Sequence, residues 1–161
     1  MQLEVRPFSL VLLLWTACAT APSTPTSSDV PAQKAATGSD AAPTLYQRLG
    51  GRDVINAFVA TFVNNVGRDP RIQLRFLFTD LDSLRGHLSE QICEASGGPC
   101  KYTGRPMKSG HAGMHIQNAE FDAMAEDLVA ALKVHGIGAK EQQELLAAVG
   151  SMRGDIVEGP Q

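Results

Sequence analysis

The chain has 161 residues, 43% of them hydrophobic and 19% charged, with 14 basic against 17 acidic side chains and a net charge of −3. That size suits one small domain. With no cationic surplus and no Lys/Arg run, the chain lacks the electrostatic footprint of a nucleic-acid binder.

The N-terminus sets itself apart first. Met1–Pro7 carries one Arg and one Glu, and the apolar run Phe8–Trp15 follows. Extended to Ala19 the apolar stretch is 12 residues, whereas a spanning helix needs about 20 to cross roughly 30 Å of hydrocarbon. Residues 1–17 therefore read as a secretory signal peptide rather than a membrane span. Thr16-Ala17-Cys18 places a cysteine directly after small residues, which resembles a bacterial lipoprotein cleavage box with Trp15 where that box usually has Leu. Ala17-Cys18-Ala19 also satisfies an ordinary small-residue cleavage site, and the two readings differ in whether Cys18 carries lipid. An acylated Cys18 would hold the protein at a membrane through buried methylenes worth about 0.8 kcal/mol each. Exported, periplasmic or membrane-anchored localisation is the expectation, and Ala19 after Cys18 leans towards the outer membrane.

Between Ala19 and Pro43, 19 of 25 residues are Ala, Pro, Ser or Thr, with no aromatic side chain. Such a stretch buries too little apolar surface to offset its ordering entropy. Residues 18–43 are thus expected to be an anchor followed by a disordered tether.

The remainder, 44–161, is 118 residues, enough for one core that removes roughly 65% of the unfolded chain's surface from water. Val54, Phe58, Phe62 and Val66 recur at i+4 with Ile55, Val59 and Val63 beside them, predicting a largely buried helix between Gly50-Gly51 and Gly67. Asp69-Pro70 opens a short turn. A second helix is predicted from Thr79 to Ser96, capped by Thr79 or Asp80, with Leu81, Leu84, Leu88 and Ile92 as its stripe and Gly97-Gly98-Pro99 as its stop. A third spans Asn118 to His135 on Phe121, Ala125, Leu128 and Leu132. A fourth runs from Ala139 to Val157 on Leu145, Val149, Met152 and Ile156. No segment alternates with period two, so the class is all-α.

The Gly- and Pro-rich segment from Gly97 to Gly110 stands out, because a long irregular loop inside a compact helical domain usually serves a function. His111 follows it among small residues and thioethers, where an imidazole can approach a bulky flat ligand without interference. His115 lies four residues on and invites a zinc or copper site, yet no third ligand stands at helpful spacing. His135 ends a helix and reads as a solvated partner of its dipole.

Leu45-Tyr46, Leu49-Gly50-Gly51, Asp69-Pro70, Phe76, Gly97-Gly98-Pro99, Tyr102-Thr103-Gly104, Met107 and His111 together resemble the truncated haemoglobins of the first group. The resemblance covers 44–158 and leaves 159–161 as a tail. It implies a two-over-two helical sandwich around b-type haem iron, with His111 as proximal ligand and Phe76 packed on the porphyrin. The wall of the pocket it implies is Phe62, Phe76, Leu84, His87, Leu88, Tyr102, Met107, His111, Ile116 and Phe121. Many relatives place Tyr at the position of Val63 and Gln at that of Leu88, a pair that hydrogen-bonds dioxygen. Both are apolar here, as is Leu84. Some cyanobacterial relatives carry histidine at the position of His87 and use it as a second, internal iron ligand, while others have Lys near the haem edge there.

In an oxidising compartment Cys93 and Cys100 are expected to pair, leaving Cys18 as the anchor. Closing that loop restricts the unfolded chain by roughly 2.5 kcal/mol on the loop-entropy model; a redox switch is the functional rival. The resemblance implies a haem protein that binds diatomic gases (O2, NO, CO), with bis-histidyl ligation and exchange with an electron-donor protein as a further role; the N-terminal signal makes it an exported one, and a monomer is expected. Oxygen transport fits poorly with a tethered monomer that has no cooperative device. The apolar distal positions disfavour nitric oxide dioxygenase or peroxidase-like activity. The rival from another class is a haemless helical interaction domain at the cell envelope.

Overall fold

The computed structural model describes residues 42–159, which fall within one compact unit, Asp40–Gln161. The signal segment, Cys18 and the tether expected upstream lie outside the described residues.

The first ordered turn is set by a reciprocal cap. The Thr44 hydroxyl accepts from the Gln47 N–H at 3.3 Å, and the Gln47 side chain accepts from the Thr44 N–H at 2.9 Å. Helix α1 is Leu45–Arg48 and α2 is Gly51–Val66. Between them Gly50 sits at φ 96°, and a Cβ there would stand 2.7 Å from Val54 Cγ2; only glycine makes this corner cheaply. As the wide apolar face predicts, Ile55, Phe58, Val59, Phe62, Val63 and Val66 are all buried. Each large side chain among them contributes about 1.5–3 kcal/mol by leaving water.

After α2 the Asp69 carboxylate accepts from the Arg71 backbone at 2.8 Å, and a 3-10 turn follows at Gln73–Phe76. It aims Phe76 inward and leaves Leu74, Leu77 and Phe78 exposed. Helix α3, Leu81–Ala95, starts at Asp80 rather than Thr79. The Asp80 carboxylate accepts from the N–H groups of Asp82 and Ser83 at 3.0 and 3.1 Å. The later helices are α4 (Met107–His111), α5 (Asn118–Val134), α6 (Ala139–Gly150) and α7 (Arg153–Ile156).

Helix α2 packs against both α3 and α5, and α5 against α6. The layers are therefore α2 with α3 over α5 with α6, a two-over-two sandwich whose core sits along α2. Among the described residues there is no strand, and no helix is long and apolar enough to cross a membrane. Arg48 of α1 ties the first turn to α6 through Glu141 at 3.0 Å and through Glu144.

Two expectations need correction. The fourth helix is not continuous: it stops at Gly150 and restarts at Arg153. Gly150, Ser151 and Gly154 are weak helix formers, and the Ser151 hydroxyl turns back to the Ala148 carbonyl at 2.7 Å. The break lets α7 fold against α4. His135, at the end of α5, is not simply solvated, because its Nε2 lies 2.8 Å from the Thr61 hydroxyl of α2.

The irregular segment after α3 is held from three directions. Cys93 and Cys100 form a disulfide with Cα atoms 5.7 Å apart. Gly98 lies so close to its neighbours that a Cβ would meet Tyr46 Cδ2 at 2.5 Å and Cys93 Sγ at 2.7 Å. Two carboxylates one turn apart on α3 complete the hold. Glu90 accepts from the Thr103 hydroxyl at 2.7 Å and its N–H at 3.1 Å, and Glu94 accepts from the Tyr102 N–H at 2.9 Å and Lys101 Nζ at 3.2 Å.

Overpacking at this tight turn means that Gly98→Ala should destabilise the domain by about 1–3 kcal/mol, read as a lower melting temperature; an unchanged value would contradict the close approach. The Thr103 bonds to Glu90, and the Tyr102 and Lys101 bonds to Glu94, hold both carboxyls below their ordinary value of 4.5. A carboxyl whose folded value is depressed stabilises fully above its unfolded value and loses that contribution as pH falls through the folded one. Acidification below pH 4.5 should therefore lower the protection factors of the Tyr102 and Thr103 amides before the core opens, and the double variant Glu90→Gln, Glu94→Gln should lose that pH dependence.

Candidate functional site

Between the layers lies an apolar cavity of about 240 Å³. Its wall is assembled from most of the chain: Phe62 and Val66 of α2, Phe76 of the 3-10 turn, Leu84, His87 and Leu88 of α3, Met107 and His111 of α4, and Phe121 and Leu128 of α5. Tyr102 and Ile116 close the loop side. All ten wall positions implied by the sequence thus border one space, although they come from helices far apart in the chain. Val63 belongs to the fully buried core of α2.

His111 is the cavity's most informative group. It ends the short α4, and its Nδ1 lies 2.8 Å from the Met107 carbonyl oxygen one turn back. A carbonyl can only accept, so Nδ1 carries the proton and Nε2 keeps a free lone pair. Helix α4 cannot stabilise itself at five residues. It is docked on α7, and Met107 and Ile116 pack with Phe121, Ile156 and Val157 in a second small core. The Arg153 guanidinium covers the Phe121 ring from 4.2 Å.

His87 reaches the same cavity from α3. Its ring meets that of Tyr102 edge-on, centroids 6.2 Å apart, and the Tyr102 hydroxyl donates to the Arg105 carbonyl at 2.9 Å. Burial pushes the Tyr102 hydroxyl above its ordinary value. The disulfide and the Glu90 and Glu94 contacts therefore also fix the ring that flanks His87.

Several wall residues escaped the sequence reading. Gln91 lies one turn beyond His87 and donates Nε2 to the sulfurs of Met107 and Met152 at 3.3 and 3.2 Å. The helical spacing from His87 was the available signal; an isolated Gln on an amphipathic helix ordinarily reads as solvated. Arg75 and Glu120 also border the cavity, ion-paired at 2.8 Å. Nothing in the sequence ties Arg75 to Glu120 before the fold is known.

His115 does not join a metal site. Its side chain is 82% exposed and turned towards Glu158, and among the described residues no group of three His, Cys, Asp or Glu could hold a metal ion. What the cavity offers is an imidazole of fixed tautomer at His111, a second imidazole at His87, broad aromatic and aliphatic walls, and charged side chains at Arg75 and Glu120. Those features suit a large flat apolar cofactor carrying its own metal: haem fits the donor set, and a bare ion does not.

Comparison with known proteins agrees. Residues 44–158 match the family model described as bacterial-like globin. The chain is 34% identical over 114 residues to a group 1 truncated haemoglobin of Nostoc sp. (strain MUN 8820), covering 71% of this chain and 97% of that one. It is 37% identical over 94 residues to one from Tetrahymena pyriformis, covering 58% and 78%. The crystal structure of the Tetrahymena pyriformis protein in its Fe(III) form superposes with a TM-score of 0.69 at 33% identity, over 71% of this chain and 98% of that one. A 2/2 haemoglobin from Synechococcus sp. PCC 7002, in the cyanomet state with covalently attached haem, gives 0.67 at 28% identity over the same shares. The haemless alternative gives way to these findings together with the retained cavity and imidazole. The chain belongs to the bacterial-like globin family, among the group 1 truncated haemoglobins, and is a haem-binding globin with the two-over-two fold.

Proposed function

We propose that this globin binds diatomic gases (O2, NO or CO) at a b-type haem held by His111, and that His87 can act as a second, internal ligand. The observation that carries the reading is the His111 imidazole, locked by the Met107 carbonyl with its Nε2 free, on the wall of an apolar cavity. When bound there, haem would supply an iron able to bind a gas and to undergo a reversible one-electron change.

The chain's own residues do the rest. His111 donates the Nε2 lone pair, and the Met107 carbonyl fixes its orientation and raises its basicity. Phe62, Phe76 and Phe121 give the macrocycle apolar contact and keep water out. On the α3 side Leu84 and Leu88 offer no hydrogen bond to a ligand, so a gas that gains negative charge finds little polar stabilisation from these positions. This supports ligand binding, sensing or electron exchange over nitric oxide dioxygenation or peroxidase chemistry. His87 is the imidazole on that wall, and as an internal ligand it would make gas binding wait for its release.

Export and anchoring belong to the same reading. The sequence of the first 43 residues points to a signal, a lipid-bearing Cys18 and a tether, and the Cys93–Cys100 disulfide supports an oxidising compartment. The envelope then supplies the gas, and an electron-donor protein is the expected redox partner.

Haemin added to the full chain should produce a tight complex with a Soret band. His111→Ala should weaken it by about 100-fold or more, since even outer-shell partners of a metal ligand are worth about 10–100-fold; full affinity in that variant would overturn the proximal assignment. For His87, the expected ferrous spectrum is low-spin without added ligand and converts to a five-coordinate form in His87→Ala. A five-coordinate spectrum already in the unsubstituted protein would remove the internal-ligand role and leave the gas-binding reading standing.

A further inference from the structure

Beyond the wall of the cavity, one carboxylate occupies a place that neither the sequence pattern nor the family comparison assigns. We propose that Glu158 is a positioning residue for the His111 imidazole, acting through the loop that follows α4. The proposal rests on the reading that His111 holds the haem.

The loop needs outside support. Helix α4 ends at His111, and within four residues the backbone twice enters the left-handed region, at Gly113 with φ 78° and at His115 with φ 50°. For a residue with a Cβ that conformation is sterically costly, so it persists only where surroundings hold it. The loop can make no regular ladder to satisfy its own backbone.

Glu158 supplies the hold. One carboxylate oxygen accepts from the Gly113 N–H at 2.9 Å and the other from the His115 N–H at 2.9 Å. The same strand of chain returns the bond: the N–H groups of Glu158 and Gly159 donate to the Ile116 carbonyl at 3.0 and 3.1 Å. Hydrogen bonds to a carboxylate are the stronger kind, and here one side chain bridges the two residues of unusual conformation. The loop's carbonyls are taken by other donors: the Gln117 side chain donates to His115 O at 3.1 Å, and one guanidinium reaches two of them. Arg75 donates to Met114 O at 2.7 Å and His115 O at 3.4 Å, while its fork is fixed on Glu120 at 2.8 Å.

The consequence reaches His111 mechanically. Its imidazole is oriented by a bond within α4, but the direction of α4 depends on what lies at its ends. Met107 is held at the N-terminal end by Gln91 and the small core around Phe121. At the C-terminal end the fixed points are Gly113 and His115, and Glu158 fixes both. Without that carboxylate the last turn of α4 keeps only the Met114 N–H bond to the His111 carbonyl and the Arg75 and Gln117 bonds to the loop's carbonyls, so it is held less firmly and the direction of the His111 Nε2 lone pair is less well fixed.

The test uses the full chain with haemin and the variants Glu158→Ala and Glu158→Gln. In the reduced, ligand-free His87→Ala background, Glu158→Ala should shift the iron–imidazole stretching band and speed haem transfer to an apoglobin acceptor about tenfold, the low end for an outer-shell partner. In the haem-free protein the Gly113 and His115 amides should exchange faster. Glu158→Gln, which keeps one acceptor oxygen, should fall between. A lower melting temperature with an unchanged band and transfer rate would overturn the proposal, leaving Glu158 a structural tie; if Glu158→Ala does not fold, the same readouts on Glu158→Gln decide. Failure here is distinct from failure of the underlying reading: if His111→Ala abolishes haem binding while Glu158 variants behave as the parent, only the positioning role falls.

Discussion

Much of this structure depends on a single hydrogen bond inside a five-residue helix, from the His111 Nδ1–H to the Met107 carbonyl. It selects the tautomer, so that Nε2 is a lone-pair donor and not a proton donor. Because α4 is too short to be stable alone, the bond has meaning only if other elements hold the helix. Helix α7, the small core around Phe121, and Gln91 with its two thioether partners do so. The break between α6 and α7 fits this arrangement: a continuous last helix would carry residues 153–156 past α4 instead of folding them against it.

The opposite wall is organised by a different set of forces. A disulfide, a glycine with no room for a side chain, and two carboxylates on α3 immobilise a segment of irregular backbone. The segment in turn places Tyr102 against His87. Polar contacts and a covalent staple thus replace the packing that a longer helical domain would use, and the apolar residues are left for the cavity. The division suits a small globin, whose limited core must serve both stability and cofactor binding.

The long helices α2, α3 and α5 and the span of α6 and α7 are legible from their apolar spacing, whereas the short α1 and α4 are not, and α4 begins inside the segment that reads as an irregular loop. The stripe from Val54 to Val66, the Asp80 cap and the stop at Gly97-Gly98 are local signals, and local physics decides them. Of the ten wall positions, Phe76, Tyr102, Met107 and His111 belong to the motif series and the rest follow from the family resemblance it supports; the fold places all ten on one cavity. What escaped was set by tertiary contact. Nothing near Arg75 in the chain marks Glu120 as its partner, Gln91 reads as a solvated side chain, and Glu158 lies beside a tail with no pattern. The break at Ser151 was overlooked because the apolar register of Leu145, Val149, Met152 and Ile156 continues across it while the backbone does not. His135 was misjudged because its partner, Thr61, is distant in sequence.

The central claim concerns one proton and one lone pair on the same ring. Proton NMR of the reduced, haem-loaded His87→Ala protein, with its histidines labelled with ¹⁵N, addresses both at once. The account predicts a strongly shifted, exchangeable Nδ1–H resonance assigned to His111, protected from solvent by its bond to the Met107 carbonyl. If the shifted resonance belongs to another histidine, or if His111 carries its proton on Nε2 in the complex, the account is contradicted.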